Sequence, residues 1–216
     1  MDWKTLYLQI CKELNINCGW DEEAARILSS YLPDKNRVME ELKEFEGMDF
    51  QIIGPAGGEI ALRNRETVMI VADSAIRRVG TKIPHMVVTD LDGDMELIRK
   101  SWEQGSKVVI HAHGDNMSSI RSEVPAFMGD FMGTCQSEQT FGLFNLQGFT
   151  DGDRSVKLAQ YLKARHIILD GFDFNTPVPK KNSVEKYKKL QIAKEIILDV
   201  ARNRTGKEMN SIPEVF

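Results

Sequence analysis

Apolar positions recur along this chain first at helical spacing and then in short runs separated by amphipathic stretches. Leu6, Ile10 and Leu14 fall on one face of a helix that Asp2 can cap. A second helix is predicted from near Asp21 to just before Pro33, and a third from about Asp34 to the stop signal at Gly47. This leading segment carries no candidate chemistry and reads as a helical cap or an oligomerisation element. From Asp49 the texture changes. Phe50–Ile53, Thr67–Ala72, His85–Thr89, Lys107–Ile110 and His166–Leu169 read as strands. Met95–Gln104, about Asp153–Ala164 and about Val184–Arg202 read as helices. Such alternation predicts an α/β fold, a Rossmann-like and mainly parallel sheet with helices on both faces. The expected division is a helical segment over 1–47 and an α/β catalytic domain over 48–216. Residues 125–147, rich in Phe, Met and Gly, read as a mobile loop or an edge hairpin. Within them Phe127, Met128, Phe131 and Met132 are candidates for subunit, core or lid packing, which leaves a homo-oligomer open.

Composition narrows the setting. A hydrophobic share of 42% over 216 residues is ample for a core, which excludes a disordered chain. The net charge of -4 gives no general attraction to nucleic acid or anionic membrane. No apolar run approaches the roughly 18 residues that span a bilayer. Cys11, Cys18 and Cys135 are odd in number and lack metal-site spacing, so reduced thiols and a cytoplasmic location are expected.

Three acidic motifs then carry the chemistry. Asp90-Leu91-Asp92-Gly93-Asp94 and His111-Ala112-His113-Gly114-Asp115-Asn116 each follow a strand, and Thr150-Asp151-Gly152-Asp153-Arg154 opens a helix. Strand ends of a parallel sheet share one crevice, and carboxylates gathered there repel unless a cation lies between them. Hard oxygen donors suit magnesium, which in turn holds phosphates. The first motif is not a calcium loop, because the sixth and twelfth positions are Met95 and Ser101. It also resembles the haloacid-dehalogenase nucleophile motif, or it is a plain turn. The second lacks the further histidines of a zinc hydrolase; Asp115 is expected toward metal, with His113 or Asn116 toward phosphate or a heterocycle. In the third, one acid is ordinary capping, whereas two acids plus Arg154 suggest metal and a phosphate fork. Gly54-Pro55-Ala56-Gly57-Gly58 after the first strand offers amides to a phosphate but is neither a P-loop nor a dinucleotide fingerprint. Asp73 at the next strand end either caps a helix or accepts from a heterocycle. Lys180, Lys181, Lys186, Lys188 and Lys189 form a basic stretch, either a solvated helix face or a phosphate contact.

Taken in order, Val87–Asp94, His111–Asn116 and Gly148–Arg154, supported by Ala72–Ala75, the Gly54 turn and Leu169–Phe174, resemble the archaeal 6-hydroxymethyl-7,8-dihydropterin pyrophosphokinase (MptE-like) family. The order is also similar to that of thiamine pyrophosphokinases, which share the general fold and reaction type. The resemblance implies transfer of diphosphate from ATP to the hydroxymethyl group of a reduced pterin, with release of AMP. It implies Mg2+ held directly or through waters by Asp90, Asp92, Asp115, Asp151 and Asp153, with Asp90, Asp92 and Asp151 central to turnover. Gly54, Gly57, Asp73, His113, Asn116 and Arg154 would contact nucleotide or pterin. Three other readings stand beside it: thiamine as acceptor, a phosphatase forming a phosphorylated Asp90, and a nucleotide binder without turnover.

Overall fold

The computed structural model describes residues 2–34, 36–64, 66–176, 183–207 and 209–216. Among these, six strands form one parallel sheet: β1 (Asp49–Ile53), β2 (Val68–Ala72), β3 (Met86–Thr89), β4 (Lys107–Ala112), β5 (Met132–Cys135) and β6 (His166–Asp170). Their order is β5-β4-β3-β2-β1-β6. The chain steps one way from β1 to β5 and then returns to pair β6 with the free side of β1. That reversal opens a crevice at the carboxyl ends of β1 and β6. The α/β, Rossmann-like expectation therefore holds.

Side chains of each strand alternate between two cores. On one face Met69, Val71, Val87 and Ile110 pack with Leu28 of α2 (Cys18–Ser30), Ile98 of α4 (Met95–Glu103) and Ile120 of α5 (Met117–Glu123). On the other face Val68, Ile70, Val88 and Val109 pack with Leu42 of α3 (Arg37–Leu42), Val156 of α6 (Asp151–Tyr161) and Ile197 of α7 (Ser183–Thr205). The leading helices thus help to build both cores. α1 (Trp3–Leu14) is capped by Asp2, whose carboxylate accepts from the Thr5 amide.

Several local expectations change. α2 begins at Cys18 rather than near Asp21, because Asn17 caps it. α3 is short and passes into a 3-10 turn, Lys43–Phe45. The link from β1 to β2 holds no helix among its described residues. Residues 125–147 form no edge hairpin: β5 joins β4 in parallel at the sheet edge, irregular chain follows it, and Phe127, Phe131 and Met132 are buried. Only Met128 of that group stands in solvent, 79% exposed on a left-handed backbone. Cys11 and Cys18 form a disulfide, so two of the three expected thiols are not free. The reason is the left-handed Asn15, which folds α2 back so that the two Cα atoms lie 6.3 Å apart. Cys135 remains a buried thiol. The outer edge of β6 is covered by the last residues, where Ile167 and Phe216 exchange backbone hydrogen bonds. Among the described residues, no helix is long and apolar enough to cross a membrane.

Candidate active site

The ends of β2 and β3 build the floor of the crevice. β2 delivers Asp73 in a left-handed conformation (φ 40°), an unusual backbone for a non-glycine residue. β3 ends in buried Thr89, whose hydroxyl donates to Asp73 Oδ1 at 2.6 Å and whose oxygen accepts the Leu91 amide. The chain then turns sharply through Leu91 (φ 70°) to present Asp90 and Asp92. Carboxylate oxygens of Asp73, Asp90 and Asp92 lie within 4.8 Å of one another. Gly93 is obligatory here: a Cβ on it would fall 2.3 Å from Asp73 Oδ2.

The loop after β4 braces this floor from behind. His113 Nδ1 accepts the Asp115 amide, which leaves Nε2 facing Asp90 Oδ2 at 3.3 Å. Asn116 is buried, donating to the carbonyls of Asp90 and His111 and accepting the His113 amide. Its amide is therefore spent within the protein. Asp115 is exposed and does not border the cleft.

α6 contributes Asp151, but not its neighbour. Asp153 is fully buried and accepts from the amides of Phe149 and Thr150 and from the Thr150 hydroxyl. It closes a capping box with Thr150. Arg154 turns inward as well, holding Asp151 Oδ1 at 2.9 Å and the Phe149 carbonyl. Asp151 and Asp153 both border the cleft, but the Asp153 oxygens are taken up by the Phe149 and Thr150 amides.

At the β1/β6 reversal, Gly54 and Gly171 touch backbone to backbone; a Cβ on Gly54 would lie 2.5 Å from the Gly171 carbonyl oxygen. Arg78 fastens the junction, donating to the carbonyls of Gly54 and Gly58 and to Asp170 Oδ1. Gly57 leaves room for that guanidinium. The two glycines thus permit close packing, while Pro55 and Ala56 form the cleft wall. The cleft encloses about 470 Å³. Its lining also includes Lys186, Arg77 paired with Asp94, and Lys189 paired with Glu185, together with the rings of Phe172 and Phe174, 5.9 Å apart. Lys180 and Lys181 lie outside the described residues.

A family model described as 6-hydroxymethylpterin diphosphokinase MptE-like matches residues 60–178. The chain is 33% identical to a 6-hydroxymethyl-7,8-dihydropterin pyrophosphokinase from Methanocaldococcus jannaschii, over 91% of this chain and 93% of that one. It is 34% identical to the protein of that name from Pyrococcus furiosus, over 95% and 96%. A third, from Methanothermobacter thermautotrophicus, is 36% identical over 82% and 80%. The chain belongs to the MptE-like family.

The matched region of this MptE-like chain includes every acid of the floor. Burial, the largest cause, pushes the Asp73 carboxyl up to about 7 against the hydrogen bond from Thr89; the charges of Asp90 and Asp92 push the same way. Burial and the charge of Asp90 likewise raise Asp151 well above the usual carboxylate range, against the pull of Arg154. Asp90 and Asp92 divide. Burial would raise both, but the His113 hydrogen bond and Arg154 hold Asp90 low, and its charge then raises Asp92. Three clustered carboxylates, with a fourth, Asp151, on the same cleft, repel one another without a cation. The buried Oδ1 of Asp90 has no hydrogen-bond partner among the described residues. A hard divalent cation fits this oxygen-only donor set and removes both difficulties. Of the acids expected around such an ion, Asp90 and Asp92 cluster with Asp73, and Asp151 lines the same cleft. Asp153 borders it with its oxygens bound to the Phe149 and Thr150 amides, and Asp115 does not border it. Lys186 and Lys189 belong to the basic stretch that the sequence offered either as a solvated face or as a phosphate contact, and both line the cleft. Phe172 and Phe174 fall in the Leu169–Phe174 piece of the family pattern, whereas Arg77 and the Arg78 staple were not singled out from sequence.

Proposed function

We propose that this protein transfers diphosphate from ATP to the hydroxymethyl group of 6-hydroxymethyl-7,8-dihydropterin, releasing AMP. The observation that carries this reading is one cleft with an acidic floor, a basic rim and two phenyl rings. Such a cleft suits a metal-bound polyphosphate beside a flat heterocycle. The names of the relatives supply the acceptor. Diphosphate transfer asks the protein for positioning and charge neutralisation rather than covalent chemistry.

Asp73, Asp90, Asp92 and Asp151 would hold Mg2+, which when bound offsets the charge of the transferred phosphates. Arg77, Lys186 and Lys189 receive phosphate oxygens that face the rim. Phe172 and Phe174 give a planar ring an apolar shelf and exclude water from one side of it. His113 donates to Asp90 and Arg154 to Asp151, so each keeps one carboxylate oriented while its other oxygen stays available.

The test is incubation with ATP, Mg2+ and the pterin alcohol, with thiamine offered separately, followed by chromatographic separation. AMP forming in step with a pterin diphosphate is expected. ADP in place of AMP, or turnover with thiamine alone, would overturn the assignment.

A further inference from the structure

The helices that precede the matched region reach the loop behind the candidate site at Trp20 and Asp21. Asp21, in the first turn of α2, is 1% exposed and forms no ion pair among the described residues. Three donors hold it instead. Gly114 gives its amide to Oδ1 at 2.6 Å; Gln136 Nε2 donates to Oδ2 at 2.7 Å, and the Tyr7 hydroxyl donates to the same oxygen. A buried carboxylate without a counter-cation is costly unless such donors surround it. What this one holds is specific. Gly114 follows His113 directly, and a Cβ on Gly114 would lie 2.6 Å from Trp20 Cβ, so the loop is seated tightly on the start of α2. His113 in turn faces Asp90 Oδ2 at 3.3 Å. The Gln136 side-chain oxygen Oε1 faces His111 Nε2 at 3.4 Å, and His111 also touches the Thr134 hydroxyl.

We propose that Asp21 is a positioning residue for the candidate metal site: through the Gly114 amide it sets His113 against Asp90. This rests on the reading of the acidic floor as a cation site. Hydrogen bonds behind a metal ligand typically tune affinity by about 10–100-fold. Asp21 stands one step further back, so the lower end of that range is expected. Asn in its place keeps the volume but has one acceptor oxygen; with that oxygen turned to Gln136 and Tyr7, its N–H2 faces the Gly114 N–H, which loosens the Gly114 loop.

The experiment is a double-mutant cycle on the full-length protein. Mn2+ affinity is measured by calorimetry for the unaltered chain, Asp21→Asn, His113→Ala and the double variant, each with its Tm. Asp21→Asn should weaken Mn2+ about ten-fold in the parent and less than about two-fold once His113 is absent. An equal loss in both backgrounds, or no loss in either, overturns the proposal, because a purely structural role does not depend on His113. Should Asp21→Asn fail to fold, Tyr7→Phe takes its place in the cycle. It removes one donor and keeps the carboxylate, and the same coupling is expected at about three-fold. If the unaltered chain binds no Mn2+, the metal reading of the floor falls and this inference falls with it. Normal binding without coupling sinks only the role of Asp21.

Discussion

Thr89 and Asp73 are joined by a 2.6 Å hydrogen bond between neighbouring strand ends, and the same Thr89 oxygen accepts the Leu91 amide. One buried hydroxyl therefore orients a floor carboxylate and shapes the turn that presents Asp90 and Asp92. Thr89→Val keeps the shape and removes both bonds. We expect it to cost about 1–3 kcal/mol in urea unfolding, since a buried carboxyl oxygen and a buried amide lose their partner. Mg2+ affinity should fall with it. Unchanged affinity would show that Asp73 is oriented by something else.

Asp90→Asn and Asp151→Asn test the floor directly. Burial and the neighbouring acids raise Asp151, so Asp151→Asn should leave metal-free stability close to the parent's. Against its burial, Asp90 is held low by His113 and Arg154, so Asp90→Asn should lower it. Diphosphate transfer should fall by about 10²–10³-fold or more, as when a dominant electrostatic contact to developing charge is removed. Turnover within ten-fold of the parent in either variant would remove that residue from the metal-binding role.

Much of the fold was legible because β-branched runs ending in Asp or His declare parallel strands and their carboxyl ends. Asp90 and Asp92 follow from the same signal. The rest depends on contacts between distant residues. Asp73 joins the floor only because its own backbone is left-handed and Gly93 leaves space beside it. Asp153 sits in a spacing, Thr150-x-x-Asp153, that states a capping box as clearly as a ligand pair; burial at the start of α6 decides for the cap. Asp115 shares a motif with His113 yet faces solvent, since the short turn after β4 sends neighbouring side chains in different directions. Phe127 and Phe131 looked like loop residues by composition and are core residues by packing. Asp21 lies 93 residues from Gly114 and 115 from Gln136, so no local pattern connects them.

Arg78 links the turn after β1 to the end of β6 through the carbonyls of Gly54 and Gly58 and the carboxylate of Asp170. Its side chain is 10% exposed. Arg78→Met fills much of the volume but leaves these acceptors without a donor. A loss of about 3 kcal/mol is expected in chemical denaturation. The same change should widen the β1/β6 junction and weaken nucleotide binding. A loss below about 0.5 kcal/mol would place the staple among ordinary surface contacts.

Proton linkage gives the floor a signature of its own. Asp73 titrates at about 7 in the metal-free protein, far above an unfolded aspartate near 3.8, and Asp92 and Asp151 are shifted the same way. A carboxyl raised on folding binds more protons folded than unfolded, so its stabilising effect is complete at low pH. That effect is lost as pH rises through the folded value. The metal-free protein should therefore lose stability from this source between about pH 4 and 7, and Asp73→Asn should flatten that slope. His85 and His111 act oppositely: burial lowers both, so their contribution is present above about 6.5 and fades as pH falls. Comparing Asp73→Asn with the parent at each pH isolates the floor, because both chains share the histidines. Mg2+ must displace the floor protons, so its affinity should rise from pH 6 to pH 8, with proton release in calorimetry across buffers of different ionisation heat. Affinity independent of pH over that range, with no protons released, would show that the cation binds elsewhere than on Asp73, Asp92 and Asp151.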